Sequence, residues 1–326
     1  MAEQLSIFGL WEVVKPEVIE EPPPPPPPPP VPVDPRQVDL LNGAQPLRST
    51  LEDACIGLDA DAVRRAHEEL LRRFLGQRWA DRAPGWAESI DWLVGRAGEE
   101  LTVDEAVARA QAVLGPEGQA RFPEAPGYVL KGVRSSALGR AVERLVAERG
   151  AGARLSDGRP AGYLLLLADD APRARSVLAA ACASGGFSDA RWLGYLGEAA
   201  WRCGEVSAAL DAYGVACLED PTAVDMEMVT CQPVLDLIDL GEDRELEAPV
   251  LGYLPVLADL NAVHPLDDRA LELPSQPTPA RRLAALLRGY RSLRASGALD
   301  EPARIGAKRE MLRVAPAGLR ELLRRI

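Results

Sequence analysis

The sequence is poor in the residues that most catalytic and metal sites require. It has only two histidines, His67 and His264, and they lie far apart in a chain of 326 residues. This spacing argues against a catalytic site built on histidine. We expect both at the surface, His67 on a helix and His264 in a loop. The chain also lacks a glycine-rich phosphate loop following a strand. We therefore predict a protein that is not an enzyme and binds neither a cofactor nor a metal.

The five cysteines are odd in number and show no CxxC spacing. Disulfide frameworks and zinc sites need such patterns, so buried free thiols in a reducing compartment are expected. The N-terminus has no basic region followed by an apolar run. No apolar stretch approaches the roughly 20 residues that cross a bilayer. These absences predict a cytoplasmic protein that does not contact a membrane. The cysteines are Cys55, Cys182, Cys203, Cys217 and Cys231.

Aromatic residues make up only 5% of the chain, whereas hydrophobic residues make up 47%. Alanine and leucine predominate over β-branched runs, which favours helices over sheets. We therefore predict an all-α fold. The net charge of -12 argues against a chain that binds nucleic acid through its overall charge. The charge is uneven, because residues 277–326 hold 12 Lys and Arg residues against 4 Asp and Glu residues.

The composition divides the chain into five parts. Residues 1–20 are expected to be a disordered docking peptide. Residues 21–36 contain nine consecutive prolines, and because proline fixes φ and lacks a backbone donor, these prolines should form a stiff polyproline II linker of about 28 Å. The helical remainder is predicted to comprise an N-terminal domain at 37–150, repeats at 151–222 and a C-terminal region with a basic end at 223–326.

Local signals place several helices. Thr102 and Glu105 have the spacing of a capping box, and either Asp59 or Asp61 can cap an earlier helix. Residues 138–148 are expected to be helical, residues 265–279 to form an exposed connection, and the last helix to follow Pro316. Apolar faces are predicted for two helices, with Val63, Ala66, Leu70, Leu71 and Phe74 on one and Leu283, Leu286, Leu287, Tyr290 and Leu293 on the other.

Two stretches of the chain align with each other at an offset of 35 residues. A period near 34 residues is typical of stacked helix pairs, which present a binding surface. Small residues at the matched positions allow two helices to pack closely. The matched positions are Gly162, Asp169, Ala174, Leu178 and Ala181 in the first copy and Gly197, Gly204, Ala209, Tyr213 and Ala216 in the second.

The second copy resembles a tetratricopeptide repeat (TPR). Gly197, Ala209 and Ala216 match the positions at which the family has small residues. Tyr213 matches the aromatic position, and Pro221 matches the proline at the end of the second helix. Ala200 departs from the usual tyrosine, and the first copy has Gly186 where a proline is expected. The resemblance covers residues 155–221 and implies an α-solenoid of stacked helix pairs that binds protein or peptide on its concave face. We extend this TPR-like architecture to the other helices from their patterning.

The N-terminal pentapeptide Gln4-Leu5-Ser6-Ile7-Phe8 resembles the motif with which bacterial proteins dock onto the replication sliding clamp. This sequence departs from the family pattern only at Ile7, where leucine is usual. The resemblance implies polar contacts from Gln4 and an apolar pocket for Leu5, Ile7 and Phe8, and exposed Trp11 would also need covering. A different docking partner, or packing of the segment onto the helices, remains an alternative. The candidate partner-binding residues are Gln4, Leu5, Ile7, Phe8 and Trp11.

The basic C-terminal region is a candidate face for an anionic partner. The alternative is a set of solvated helix faces balanced by the acidic body of the protein. Nearby aromatic residues are almost absent, so stacking on single-stranded nucleic acid is not favoured, and nucleic acid is only weakly indicated. The candidate residues of this face are Arg281, Arg288, Arg291, Arg294, Lys308 and Arg309.

These features favour a non-enzymatic adaptor or scaffold. Its N-terminal peptide would tether it to one protein, with the replication sliding clamp as the best candidate, and its helical repeats would hold another. The alternative is an accessory or chaperone-like component of a bacterial multiprotein assembly, such as a secretion system. In that case the peptide would dock on a different subunit.

Overall fold

The computed structural model describes residues 35–73, 84–95, 101–185, 189–246, 249–266, 268–297 and 300–326. The predicted docking peptide at residues 1–20 lies outside this range, as does nearly all of the predicted linker. The described part contains fifteen α-helices and no strand, apart from an isolated bridge between Arg154 and Pro160. The prediction of an all-α protein is therefore confirmed.

The chain divides into two compact units at residue 43. Of the first unit, only the beginning of α1 is described, and the second contains all the other elements. In chain order the helices are α1 (Pro35–Ile56), α2 (Ala60–Arg73), α3 (Pro84–Val94), α4 (Val103–Ala112), α5 (Pro116–Arg121), α6 (Gly127–Arg149), α7 (Ala161–Leu167), α8 (Ala171–Gly185), α9 (Ala190–Arg202), α10 (Val206–Glu219), α11 (Gln232–Asp243), α12 (Leu254–Leu260), α13 (Pro279–Ala295), α14 (Glu301–Val314) and α15 (Ala317–Arg325).

Helix α2 begins where the sequence predicts it. The Asp59 carboxylate accepts a hydrogen bond from the Ala62 amide at 2.8 Å, which caps the helix. Val63 and Leu70 are buried on its apolar face. His67 is also buried, at 7% exposure, so the expected surface position is wrong. The reason is spacing, because His67 lies one helical turn after Val63 on the same face. Phe74 lies outside the described residues.

The capping box at α4 is present. The Thr102 hydroxyl accepts a bond from the Glu105 amide at 3.2 Å, and the Glu105 carboxylate accepts one from the Thr102 amide at 2.9 Å. Helix α6 is longer than predicted, since it begins at Gly127 rather than near residue 138. Helix α15 follows Pro316, as expected.

The two aligned stretches form two helix pairs, α7–α8 and α9–α10. In both pairs a glycine of the first helix faces a large side chain of the second. A Cβ atom on Gly162 would lie 2.4 Å from Cγ of Leu178, and one on Gly197 would lie 2.8 Å from Cδ2 of Tyr213. Both separations are shorter than van der Waals contact. The offset of 35 residues therefore relates two copies of the same close helix–helix contact.

The turn inside each pair is also repeated. Asp169 has a φ of 63° and Gly204 a φ of 79°, so both occupy the left-handed region. In each copy the next residue donates its amide to the carbonyl five positions earlier, at 2.9 Å and 3.0 Å. This arrangement closes the end of a helix and reverses the chain. An aspartate and a glycine meet the same backbone requirement, because both tolerate left-handed conformations.

Buried apolar side chains form two clusters that meet at α8 and α9. The first cluster extends from α1 to α8 and also includes Tyr195 and Ala199 of α9. The second includes Trp192 and Leu193 of α9 and extends to α15. Leu196 packs against both clusters. Helix α9 therefore contributes to two cores at once.

The C-terminal region departs from the prediction in three places. Helix α14 is not among the predicted helices. Leu293, expected on an apolar face, is 45% exposed. The connection predicted at residues 265–279 is partly packed, because Leu266 and Ala270 are buried and a short 3₁₀ helix spans Asp268–Leu271. Among the described helices, none is both long and apolar enough to cross a bilayer.

Candidate partner-binding cleft and basic surface

Four polar residues follow one another along a single face of α9. Arg191, Tyr195, Glu198 and Arg202 are spaced by four, three and four positions, which places them on one helical stripe. Most other residues of this helix are buried and apolar. The stripe contacts α7 on one side and the segment after α10, residues 220–231, on the other.

Tyr195 joins both of these neighbours. Its hydroxyl donates to Oδ2 of Asp225 at 2.8 Å, and its ring lies 5.1 Å from the ring of Tyr163 on α7, measured between centroids. Arg159 donates to the Tyr163 hydroxyl at 3.0 Å and lies 3.9 Å from Asp225. Burial and the bond to Asp225 raise the pKa of Tyr195 well above its ordinary value. The phenol therefore remains a proton donor at neutral pH.

Glu198 fixes the same segment one turn further along α9. Its side chain is only 1% exposed and accepts bonds from Arg202 at 2.7 Å, from the Tyr213 hydroxyl at 2.9 Å and from the Thr230 amide at 2.9 Å. The Thr230 hydroxyl donates to it as well. Burial opposes ionisation, but the bonds from Thr230, Arg202 and Tyr213 outweigh it and lower the pKa of Glu198. A charged carboxylate with several donors is stable in this position.

A cleft of about 330 Å³ lies between these groups. Residues 222–227 line one side, and Arg159, Arg191 and Tyr195 line the other. The neighbouring Asp189 pairs with Arg154 at 3.1 Å, and among the described residues Arg191 has no carboxylate partner. Met226 on the opposite side is 39% exposed. The cleft therefore has a fixed polar floor, a free cation and an exposed apolar side chain.

A second cavity of about 500 Å³ lies among α3, α4 and α5. The Arg121 guanidinium lies 3.9 Å from the centroid of the Trp92 ring, and that of Arg109 lies 5.6 Å from it. Arg121 also pairs with Glu117 at 3.1 Å, and its carbonyl accepts a bond from the Ser89 hydroxyl at 2.7 Å. These contacts hold three helices together, and they engage both guanidinium groups within the protein.

Cys55, Cys182, Cys217 and Cys231 do not have the environment of reactive thiols. Four of the five are buried, and burial raises the pKa of Cys55 and of Cys217 to about 12. Their thiols are protonated at neutral pH and therefore weakly nucleophilic. Among the described residues, no three His, Cys, Asp or Glu side chains are placed to hold a metal ion. His264 lies in a loop, as expected, but it is half-buried and pairs with Asp211 of α10 at 2.7 Å.

The structure separates the predicted basic face into different environments. Arg281 does not belong to an exposed face, because it is only 7% exposed. Its guanidinium donates to the carbonyl oxygens of Leu218 and Glu272, at 2.5 Å and 2.7 Å, and pairs with Glu219 at 3.3 Å. Sequence alone could not show this, since one acceptor, the Leu218 carbonyl, lies 63 positions away in the chain.

Two further arginines of that face are paired with aspartates. Arg288 bonds to Asp268, and Arg291 pairs with Asp259 at 2.9 Å. The other three residues occupy the exposed side of the C-terminal helices. Arg294 donates to a main-chain oxygen of Ile326 at 3.3 Å, Lys308 donates to the Arg324 carbonyl at 3.0 Å, and Arg309 is exposed. Arg294 and Lys308 therefore meet at the end of α15.

The predicted docking residues Gln4, Leu5, Ile7, Phe8 and Trp11 lie outside the described residues. The residues of the cleft are not among those predicted from the sequence. A signal for them exists, because four polar residues recur on one face of an otherwise apolar helix. The contribution of residues 222–227 has no comparable signal, since it depends on how that segment crosses α9.

The described part of the protein is all-helical, and the same close helix–helix contact occurs in two successive helix pairs. No family model matches the chain, and no curated protein or solved structure matches it either.

Proposed function

We propose that this chain is a non-enzymatic adaptor that holds two protein partners. The N-terminal peptide would dock on the first, and the replication sliding clamp is the best candidate. The helical repeats would hold the second. The observation that carries the proposal is the pattern of residues 4–8, placed before a proline linker and a helical body. A tethered peptide on a spacer raises the effective concentration of the body near its partner.

The cleft on the repeats supports the second half of the proposal. Its floor is already ordered by the bonds among Tyr195, Asp225 and Arg159. A partner segment would therefore not have to order these side chains on binding. Arg191, which has no carboxylate partner in the part of the chain that the structure describes, and the exposed Met226 offer it a charged contact and an apolar contact.

The docking peptide can be tested by titrating the full chain against a purified bacterial sliding clamp. We expect the Leu5→Ala/Phe8→Ala variant to bind at least about 100-fold more weakly, because removing two buried apolar anchors costs several kcal/mol. The helical content, measured by circular dichroism, should not change.

The matched control is Val13→Ala/Val14→Ala, which removes apolar groups from the same segment but outside the pentapeptide. It should bind as the unmodified chain does. Absence of binding by the unmodified chain, or equal binding by the Leu5→Ala/Phe8→Ala variant, would show that the clamp is not the partner. The alternative, an accessory component of another bacterial assembly, would then be preferred.

A further inference from the structure

We propose that the C-terminal helices carry a surface that binds the phosphate backbone of duplex nucleic acid. We define the C-terminal basic patch as Arg294 of α13, Lys308 of α14, and Arg324 and Arg325 of α15. This inference goes beyond the adaptor proposal and does not depend on it.

Hydrogen bonds bring the patch together from three helices. Arg294 donates to a main-chain oxygen of Ile326 at 3.3 Å, and Lys308 donates to the carbonyl of Arg324 at 3.0 Å. Both oxygens lie at the end of α15, whose last two residues are Arg324 and Arg325. Cations are favourable at this end of a helix, because its carbonyl groups carry partial negative charge. The convergence is therefore a stable feature of the fold.

The patch carries more positive than negative charge. The Arg324 carbonyl satisfies a donor of Lys308 but does not neutralise its charge, whereas a carboxylate at Ile326 would neutralise the charge of Arg294. Arg324 and Arg325 share one carboxylate, that of Glu321, at 3.3 Å and 3.5 Å. Among the described residues, the four cations of the patch therefore outnumber its carboxylates, even with one counted at Ile326. Arg288 and Arg291 on the same helices differ, since each is paired with its own aspartate.

The surroundings of the patch favour phosphate over protein or single strands. Tyr290, the aromatic residue of α13–α15, is buried at 2% exposure, so no ring is available to stack on an unpaired base. The large apolar side chains exposed on these helices are Leu293 and Ile305, a small apolar area for a protein interface. Binding to duplex phosphates needs no apolar core, because counterion release provides the free energy.

The test measures fluorescence anisotropy of a labelled duplex of about 20 base pairs with the full-length protein, over about 50–200 mM salt. We expect the logarithm of the association constant to fall linearly with the logarithm of salt concentration. The slope should be about -3 to -4, since four cations contribute about 0.9 each. Arg324→Gln/Arg325→Gln should weaken binding and reduce the magnitude of the slope by about 2.

The chain offers a closely matched control in Arg72→Gln/Arg73→Gln. These arginines also lie in the last turn of a helix and share one carboxylate, that of Glu69, at 2.6 Å each. Their substitution should leave binding unchanged. Absence of saturable binding at the lowest salt concentration, or equal loss in both variants, would overturn the proposal. So would tighter binding of polyglutamate than of the duplex, which would assign the patch to an acidic protein.

Discussion

Gly162 and Gly197 are required by close contact rather than by backbone conformation. Each lies against a large side chain from the second helix of its pair. This side chain is Leu178 for Gly162 and Tyr213 for Gly197. The second contact is the less adaptable, because Tyr213 is 1% exposed and its hydroxyl is bonded to Glu198. Moving the ring would therefore disturb both the core and the hydrogen bonds of Glu198.

We expect Gly197→Ala to lower the free energy of unfolding by about 1–3 kcal/mol, the usual cost of overpacking a core. The control is Gly214→Ala in the partner helix α10, where a Cβ would have nothing within 4 Å. That change should be neutral or stabilising by about 0.5–1 kcal/mol, since alanine favours helix. Urea unfolding of both variants would measure their free energies of unfolding. Equal stability of the two variants would contradict the close contact between Gly197 and Tyr213.

Single residues also show which contacts can be predicted from the sequence and which cannot. The close glycine contacts could be predicted, because the repeat itself marks the two positions. The burial of His67 could also be predicted, because His67 lies one turn after Val63 on the apolar face of α2. The burial of Arg281 could not, because one of its acceptors, the Leu218 carbonyl, lies 63 positions away in the chain.

At the scale of the element, helix α9 and the segment of residues 220–231 behave as one unit. Tyr195 and Glu198, about one turn apart, bind Asp225 and Thr230 of this segment. The segment has little regular structure of its own, so these two anchors determine its position. Glu198 is the stronger anchor, because its carboxylate is buried and accepts bonds from three residues.

This arrangement predicts a pH dependence of stability. The pKa of Glu198 is lower in the folded protein than its ordinary value. The ionised Glu198 carboxylate therefore adds to the free energy of unfolding above the pKa of the unfolded chain, about 4.3. This stabilisation is lost as the pH falls through the pKa of the folded protein. We expect Glu198→Gln to cost about 2–3 kcal/mol at neutral pH. The difference in the free energy of unfolding between the Glu198→Gln variant and the unmodified chain should shrink below about pH 4.

Urea unfolding of the two proteins at neutral and acid pH would measure this difference. Glu227→Gln is a suitable control, because Glu227 is exposed in the same segment. It should leave the pH dependence of stability unchanged. A difference between the Glu198→Gln variant and the unmodified chain that stays constant with pH would show that the charge of Glu198 does not stabilise the fold.

Elements were predictable where their signals are local. The capping box of α4 and the proline before α15 are such signals, and both elements begin where expected. Helix α14 was missed because most of it is exposed and Met311 is its only buried residue, so its sequence shows no apolar stripe. Its cap, Asp300, which bonds the Ala303 amide at 2.8 Å, is a weak signal without that stripe.

For the whole molecule, the important feature is the presence of two apolar cores. Leu138 of α6 is fully buried in the first and Leu287 of α13 in the second. Each core is lined by helices that follow one another along the chain. A cavity in one core should therefore destabilise most strongly the helices that line that core.

We expect Leu138→Ala to increase amide hydrogen exchange mainly in α4–α7, and Leu287→Ala mainly in α12–α15. Each removes about 2–5 kcal/mol of core packing, and local opening should follow the core that is damaged. Exchange measured by mass spectrometry on both variants gives the test. An equal loss of protection throughout the chain would show that the two cores unfold as one.

The position of α8 and α9 between the cores determines how the chain can be dissected. A fragment that ends after α7 would leave the first core without Tyr195 and Ala199, and one that starts at α10 would leave the second without Trp192 and Leu193. Both halves need the same two helices. Separate expression of the halves therefore requires that residues 171–202 be present in each, as an overlap rather than a boundary.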